Sequence, residues 1–475
     1  MNCLWETCAA AGSVFHAPSG SVAVRDLADG SILAGKVEQL RGRCVLLATY
    51  DQLPTALSLL ELDGVARRLV LCTPDLDDER LAQVAAAAQA DAIVVDATTA
   101  QRRLPEVEVF VAGATPGVAT PGVATPGVAM PGRESLERAQ PLERRATHAT
   151  EWILLTSGTT GQPKLVVHSV DSLAGALPRQ PASGRRMVWS TFYDIRRYGG
   201  LQIYLRAAFS GAAMVLSNAA EPVHDFLSRA GSAGVTHISG TPSHWRRALM
   251  SGDTGLIDPE YVRLSGEVAD QTVLDSLRAA YPKARISHAF ASTEAGVAFD
   301  VDDGLAGFPA KFVDEPNGSI ELKVQDGTLW IRSARTATQY LGAAPALPGA
   351  DRFIDTGDMV ELIGGRYYFR GRKGGIINVG GLKVYPEEVE SVLNADSRVR
   401  MSLVKSKRNP ITGAVIVAEV VLKDAPADDG AADLLKEELL EACRTHLAKH
   451  KVPALLRLVP SLELTAAGKL VRPNA

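Results

Sequence analysis

The segment Leu155-Thr-Ser-Gly-Thr-Thr-Gly-Gln-Pro-Lys164 gathers hydroxyl side chains, two glycines and a lysine into one short stretch. Glycine lets backbone amides approach an anion, hydroxyls donate to its oxygens, and the Lys164 ammonium adds positive charge. That is the chemistry of a phosphate cradle. The segment directly follows Trp152–Leu155, an apolar run that reads as a strand. It is not a Walker loop, in which lysine and a hydroxyl residue follow the second glycine directly. Here Gln162 and Pro163 separate Gly161 from Lys164.

Four more segments could act on the same chemistry. They are Ala289-Phe-Ala-Ser-Thr-Glu294, Asp355-Thr-Gly-Asp358, the long stretch Gly371 to Glu390, and Thr465-Ala-Ala-Gly-Lys469-Leu-Val-Arg472. In this order, and with the 155–164 loop, they resemble the motifs of the adenylate-forming superfamily. That superfamily comprises acyl-CoA synthetases, adenylation domains of peptide synthetases and luciferases. The resemblance runs from Trp152 to Arg472, about two thirds of the chain. One such motif is weak, but five in order are specific.

The resemblance implies a role for each residue. A carboxylate attacks the α-phosphorus of ATP, so two anions meet and positive charge must offset their repulsion. Thr156, Ser157, Gly158, Thr159, Thr160, Gly161 and Lys164 would hold the β- and γ-phosphates. Glu294 would ligate Mg²⁺, a hard cation that prefers oxygen ligands. Thr293 would donate to the α-phosphate and Phe290 would stack on adenine. Asp358 and Arg372 would meet the ribose. Lys469 would bridge the acid and the α-phosphate. In a second step Gly380 and Gly381 would line a channel for a pantetheine arm, belonging to CoA or to a carrier-protein phosphopantetheine. Taken one at a time these residues have plainer readings. Ser292-Thr-Glu also reads as a helix start, Asp358 as a turn residue, Phe290 as core and Lys469 as an exposed terminal lysine.

Some positions depart from the family pattern. Phe290-Ala291 stands where Tyr-Gly is usual, and Leu165 replaces the glycine after the loop lysine. Gly374 occupies the hinge position that usually carries Asp or Lys, which leaves rotation free and removes a charge. By the same resemblance the acid pocket involves Tyr193, Asp194, Gly199, Gly200, Ser239, Gly240, Thr241, Ser265 and Gly266. A buried Asp194 needs a partner. A substrate amine or hydroxyl, Arg196 and Arg197 are the alternatives.

Elements to position these groups are visible as alternating strands and helices. Cys44–Thr49, Arg68–Cys72, Ala92–Val95, Met187–Ser190, Ala213–Leu216 and Thr236–Ser239 read as strands, and Leu81–Ala90 as a helix. Such alternation indicates a parallel α/β architecture. Beyond Arg370 the pattern changes to a helix at Pro386–Leu393, a strand at Val415–Leu422 and a helix at Asp433–His450. The expectation is a large multi-subdomain α/β N-terminal domain over 1–370, a hinge at 371–375 and a small mobile α+β domain over 376–475. Within 112–133, the repeat Ala114–Arg133 of Ala-Thr-Pro-Gly-Val units cannot bury a face and reads as a surface insert.

Composition narrows the function class. The chain has 475 residues, with 50 Lys plus Arg against 54 Asp plus Glu, for a formal charge of -4. This argues against a nucleic-acid clamp. Cys3, Cys8, Cys44, Cys72 and Cys443 are scattered without metal-ligand spacing, which fits a reducing compartment. No apolar run reaches membrane-helix length and the N-terminus lacks a signal pattern, so a cytoplasmic protein is expected. His446 and His450 lack a third ligand and read as a basic helix end. Arg185-Arg186 and Arg246-Arg247 read as CoA-phosphate contacts or as solvated surface. No carrier domain follows Arg472 before Ala475. The leading expectation is therefore a stand-alone, ATP-dependent acid:CoA ligase. A carrier-protein-loading enzyme and an inactive nucleotide-binding homologue are the rivals, and retention of Thr293, Glu294, Asp358 and Lys469 argues against the latter.

Overall fold

A computed structural model describes the chain apart from residues 1–3, 6–7, 9–11, 29, 114–145, 158–162, 176, 178–186, 219, 317, 319, 343–352, 410–412, 464–469 and 471–475. The repeat insert therefore lies outside the described residues. The protein is α/β, and by internal packing it forms two compact units. One comprises Met1–Ser239 with Arg335–Gly349, the other Gly240–Ala334 with Ala350–Ala475.

The first unit carries a mixed seven-stranded sheet in the order Gln339–Leu341, Pro163–His168, Glu151–Ser157, Arg68–Leu71, Cys44–Leu47, Ala92–Val95, Glu108–Val111. The five strands from Glu151–Ser157 to Glu108–Val111 run parallel, because helices such as Gln52–Leu62 and Asp78–Ala88 make the crossovers. All but the edge strand Glu108–Val111 bury their central residues on both faces. Leu46, Val70, Ile93 and Ile153 all fall in one core cluster, as strands covered on both faces require. The helix Asp78–Ala88 starts earlier than the apolar pattern indicates, because the Asp77 side chain accepts from the Arg80 amide. Val188–Thr191 lies between Ala213–Val215 and His237–Gly240 in parallel register.

The second unit contains the parallel pair Tyr261–Ser265 and Arg285–Ser292, the latter turning back into Gly296–Val301. It also holds an antiparallel sheet in the order Phe308–Pro309, Arg366–Arg372, Ile354–Ile363, Thr328–Ser333, Ile320–Gln325. The sequence pattern does not reveal this sheet. Its strands are only half-buried, and their alternation is interrupted by bulges near Leu329 and between Met359 and Val360. Residues 377–458 close on a core of their own, in which Val389, Leu393, Val404, Val420, Leu439 and Cys443 meet. The expected apolar stripe on the last helix is thus the face that packs. The helix itself spans Asp429–His446, because Asp428 caps it by accepting from Ala431 N.

The expected linker at 371–375 is partly regular. Gly371 and Arg372 complete the strand Arg366–Arg372, and only Lys373–Gly375 forms a short 3-10 turn.

Candidate active site

The two ends of the phosphate-cradle candidate lie on paired strands. Glu151–Ser157 and Pro163–His168 pair antiparallel, with Thr156 opposite Lys164 and Ser157 opposite Pro163. Gly158, Thr159, Thr160 and Gly161 lie outside the described residues. The Lys164 ammonium sits 5.6 Å from the ring centroid of Tyr340, a cation–π contact that holds it beside the paired strands. Leu165, the departure from glycine, is buried in the core beneath the sheet. A side chain there is used for packing.

In the acid-pocket segment the structure selects among the partners of Asp194. Both carboxylate oxygens receive Arg196: Oδ1 accepts from Nε at 2.8 Å and Oδ2 from Nη2 at 2.6 Å. Arg197 instead donates to Asp75 at 3.0 Å. Desolvation works against the Asp194 charge, but the Arg196 guanidinium outweighs it and holds the carboxyl below its usual range. Of the two internal partners the sequence offers, Arg196 is the one that Asp194 takes, and its amide also donates to Oδ1 at 2.8 Å. Tyr193 is buried, and its amide donates to Thr191 Oγ1 at 3.1 Å. A Cβ on Gly199 would lie 3.7 Å from the Tyr193 ring. On Gly200 it would lie 2.1 Å from the Asp194 carbonyl oxygen. Ser239 is fully buried, and its carbonyl accepts from the Phe192 amide at 2.9 Å.

In the second unit Gly240 leads into Thr241, which caps the helix Pro242–Met250. Its hydroxyl accepts from His244 N at 3.0 Å, and its own amide donates to His244 Nδ1 at 3.2 Å. Ser265 ends its strand, and Gly266 follows at φ +84°. Burial, helped by the charge of Arg247, pushes His244 down to about 3 from 6.5. Folded His244 thus stays neutral while the unfolded chain takes up a proton below pH 6.5. The sign follows: a depressed histidine costs stability as pH falls from 6.5 toward 3. His244→Asn should therefore flatten the decline of Tm between pH 7 and pH 5, read by thermal melts. An identical slope in both proteins would contradict this.

Thr293 and Glu294 occupy the turn between Arg285–Ser292 and Gly296–Val301, with Ser292 paired to Gly296. Ser292 Oγ accepts from Ala295 N at 3.0 Å. The helix-start reading of Ser292-Thr-Glu is replaced by a hairpin tip, which presents both side chains at a strand end. Phe290 lies nearly parallel to Phe369 at 5.0 Å and to Phe299 at 5.8 Å. The core reading of Phe290 therefore holds for part of its ring.

Asp358 and Arg372 are cross-strand partners. Arg372 Nε donates to Asp358 Oδ1 at 3.0 Å, and Arg372 Nη2 to the Thr356 carbonyl at 3.3 Å. The Thr356 hydroxyl accepts from Asp358 N at 3.1 Å and fixes the carboxylate's backbone. Asp358 is 17% exposed and Arg372 67%. Crowding by protein opposes the charge of Arg372, but Asp358, then Glu294 and Glu387, raise its pKa above the ordinary guanidinium value. Glu294 is thus electrostatically within reach of the Asp358–Arg372 pair. Glu387, which the motifs do not single out, lies against Gly371 (φ +122°), where a Cβ would be 2.2 Å from its carboxylate. Its only signal in the sequence is its place in the first turn after the hinge.

Gly380 and Gly381 form a two-residue turn at φ +59° and +86° between Ile377–Val379 and Leu382–Val384. The positive φ angles alone explain glycine there, since a Cβ on either residue would meet no described protein atom within 4 Å. Lys469 lies outside the described residues. Among the described residues no three His, Cys, Asp or Glu side chains form a metal cluster, and no helix is long and apolar enough to cross a membrane.

Comparison with known proteins fits this arrangement. The family described as "AMP-binding enzyme" matches residues 60–341, more than half of the chain, and "AMP-binding enzyme C-terminal domain" matches 388–469. The chain is similar to 2-succinylbenzoate–CoA ligase of Staphylococcus epidermidis, at 25% identity over 67% of this chain and 68% of that one. It is similar to the ligase of that name from Geobacillus kaustophilus, at 28% over 71% and 70%. The one from Salmonella typhimurium is 27% identical, over 62% of this chain and 64% of that protein. Sequence similarity thus spans about two thirds of these relatives' lengths. The fold is shared with the anthranilate CoA ligase AuaEII solved with anthranoyl-AMP, at TM-score 0.77 and 17% identity, covering 99% and 95% of the two chains. It is also shared with the o-succinylbenzoate CoA synthetase of Bacillus subtilis, at TM-score 0.73 and 19% identity, covering 99% and 97%.

Proposed function

The chain belongs to the AMP-binding enzyme family, and we propose that it joins a small carboxylic acid to the thiol of CoA through an acyl-adenylate. The observation that carries this reading is the order of the two family matches, a nucleotide-binding region at 60–341 followed by its C-terminal partner at 388–469. In the first half-reaction a carboxylate oxygen bonds to the α-phosphorus of ATP and pyrophosphate leaves. In the second the thiol, losing its proton, bonds to the acyl carbon and AMP leaves.

This chain's residues divide that work. The segment from Thr156 to Lys164 holds the phosphates that depart. Thr293, on its turn, donates to the phosphate that stays, and Phe290 borders the adenine. Asp358 accepts from the ribose hydroxyls while Arg372 steadies its orientation. Lys469 offsets the charge of the two reacting anions. Mg²⁺, when bound, would neutralise phosphate charge. Glu294 suits it, because Mg²⁺ keeps several waters and needs one or two carboxylates beside the phosphates, not a full protein cage. Domain 1–370 would bind nucleotide and acid, and 376–475 would rotate about 371–375, with Gly380 and Gly381 beside the pantetheine arm. A carrier-protein phosphopantetheine is the alternative acceptor. A reducing cytoplasm suits the described cysteines Cys8, Cys44, Cys72 and Cys443, which are buried and form no disulfide among the described residues. Burial pushes Cys44 to about 11 and Cys72 to about 12, so both stay as thiols.

The test is product analysis with ATP, Mg²⁺ and a panel of aliphatic, aromatic and amino acids, with and without CoA. The reading predicts AMP release that requires one class of acid, equal amounts of acyl-CoA when CoA is present, and a hydroxamate when hydroxylamine replaces it. AMP release that requires a phosphopantetheinylated carrier moves the acceptor. No acid-dependent AMP from folded protein overturns the reading. Within it, Asp358→Ala loses a charged acceptor, so KM for ATP should rise about 10- to 100-fold, with KM for the acid nearly unchanged. An unchanged KM for ATP would remove Asp358 from the nucleotide site.

A further inference from the structure

In the first unit the segments that follow four strands are tied to one another by hydrogen bonds. The residues that follow Cys44–Leu47, Ala92–Val95, Val188–Thr191 and Ala213–Val215 meet at the carboxyl ends of parallel strands, where α/β sheets hold their ligands. Arg196 lies at the centre of this meeting point. It is 2% exposed, and its Asp194 partner is 11% exposed. Beyond Asp194 its guanidinium donates to the carbonyls of Thr49 and Tyr50. The Asp96 carboxylate fixes that loop by accepting from Tyr50 N at 2.7 Å and Asp51 N at 2.9 Å. From the other side Gln52 Oε1 accepts from Ile195 N at 2.8 Å, and Ser217 Oγ donates to the Tyr193 carbonyl at 3.3 Å. The Arg196 amide itself donates to Asp194 Oδ1 at 2.8 Å.

We propose that Asp194 and Arg196 are positioning residues. The pair is an internal strut that ties the Tyr193–Arg196 segment to the loop at Thr49–Asp51, holds Tyr193 over Gly199, and leaves the wall so formed to an uncharged part of the acid. The inference rests on the adenylation reading and names a class within it: acids with no ammonium opposite this segment. A substrate ammonium at Asp194 would have to displace a bidentate guanidinium that never loses its charge. It would also strand that guanidinium in a buried site, which is strongly unfavourable. On the other side lies helix Tyr198–Ser210, whose Gly199 faces the Tyr193 ring and whose Gly200 packs directly on the Asp194 carbonyl.

The test combines acid-dependent pyrophosphate exchange with hydrogen exchange, on the full chain, for Asp194→Asn, Arg196→Lys, Arg196→Met and the Asp194→Asn/Arg196→Met double variant. Each of Asp194→Asn and Arg196→Met should raise KM for the acid about tenfold, since a wall shifted by an ångström misplaces the carboxylate. KM for ATP should stay within about twofold. The double variant should be no worse than the poorer single one, because both remove the same strut. Arg196→Lys should recover part of the loss. Effects that multiply in the double variant overturn the proposal, as does an Asp194→Asn effect confined to acids bearing an amine. Hydrogen exchange separates the two readings and serves if Arg196→Met does not fold. If wild-type protein shows no acid-dependent exchange, the adenylation reading fails. The strut then stands or falls on whether peptides covering 49–52 and 192–197 exchange faster in Asp194→Asn and Arg196→Lys. Unchanged protection in both segments overturns it.

Discussion

Lys469→Ala should lower acyl-AMP formation about a thousandfold while leaving thioester formation from supplied acyl-AMP within about threefold, the scale of losing one well-placed charge donor at a developing anion. The asymmetry is the informative part. Bringing a carboxylate onto a phosphorus already surrounded by negative oxygens requires a cation between them. Attack of a thiol on the finished mixed anhydride does not bring those two anions together. Lys469 is the last residue of the C-terminal family match, and it stands in a Gly-Lys pair. Half-reactions measured separately, by hydroxamate formation and by acyl-CoA release from synthetic acyl-AMP, decide the matter. Equal loss in both would mean that Lys469 supports the domain and does not serve the first step.

The second large effect is on stability. Gly200→Ala places a methyl group 2.1 Å from the Asp194 carbonyl oxygen and 2.9 Å from Ile195 Cα. These are backbone atoms held by the Arg196 network, so neither can yield cheaply. Overpacking of this kind costs about 1–3 kcal/mol or more. Chemical denaturation should show the loss, together with weakened acid binding. Gly199→Ala is the internal control, because its methyl group would rest 3.7 Å from the Tyr193 ring, an ordinary contact. It should melt within about a degree of wild type, as expected for a change under about 0.5 kcal/mol. Equal melting of the two variants would show that helix Tyr198–Ser210 does not press on Asp194 as described.

What the sequence made legible follows from how local the signal is. Strands buried on both faces, such as Ala92–Val95, appear as unbroken apolar runs, and they fold where the pattern puts them. The stripe Leu435, Leu439, Cys443 likewise repeats within one helix. The candidate site motifs are local in the same sense: the Thr156–Lys164 segment, Thr293-Glu294 and Thr356-Gly-Asp358 each carry their donors and acceptors within a few residues. The rest depends on distant partners. Asp194 could have faced a ligand or either neighbouring arginine, and only the fold shows Arg196 braced on Thr49 and Tyr50, far earlier in the chain. Ser292-Thr-Glu has the composition of a helix start, but Gly296 pairs back to Ser292 and makes a hairpin instead. The sheet around Ile354–Ile363 and Arg366–Arg372 went unread because its strands alternate imperfectly and their pairing is interrupted by a bulge.

The most direct measurement is acid-dependent exchange of labelled pyrophosphate into ATP by the purified 475-residue chain. The account predicts exchange that requires both Mg²⁺ and a particular class of carboxylic acid, occurs without any thiol, and falls to background in Lys469→Ala. Folded protein that shows no exchange above background with any acid in a broad panel would contradict it.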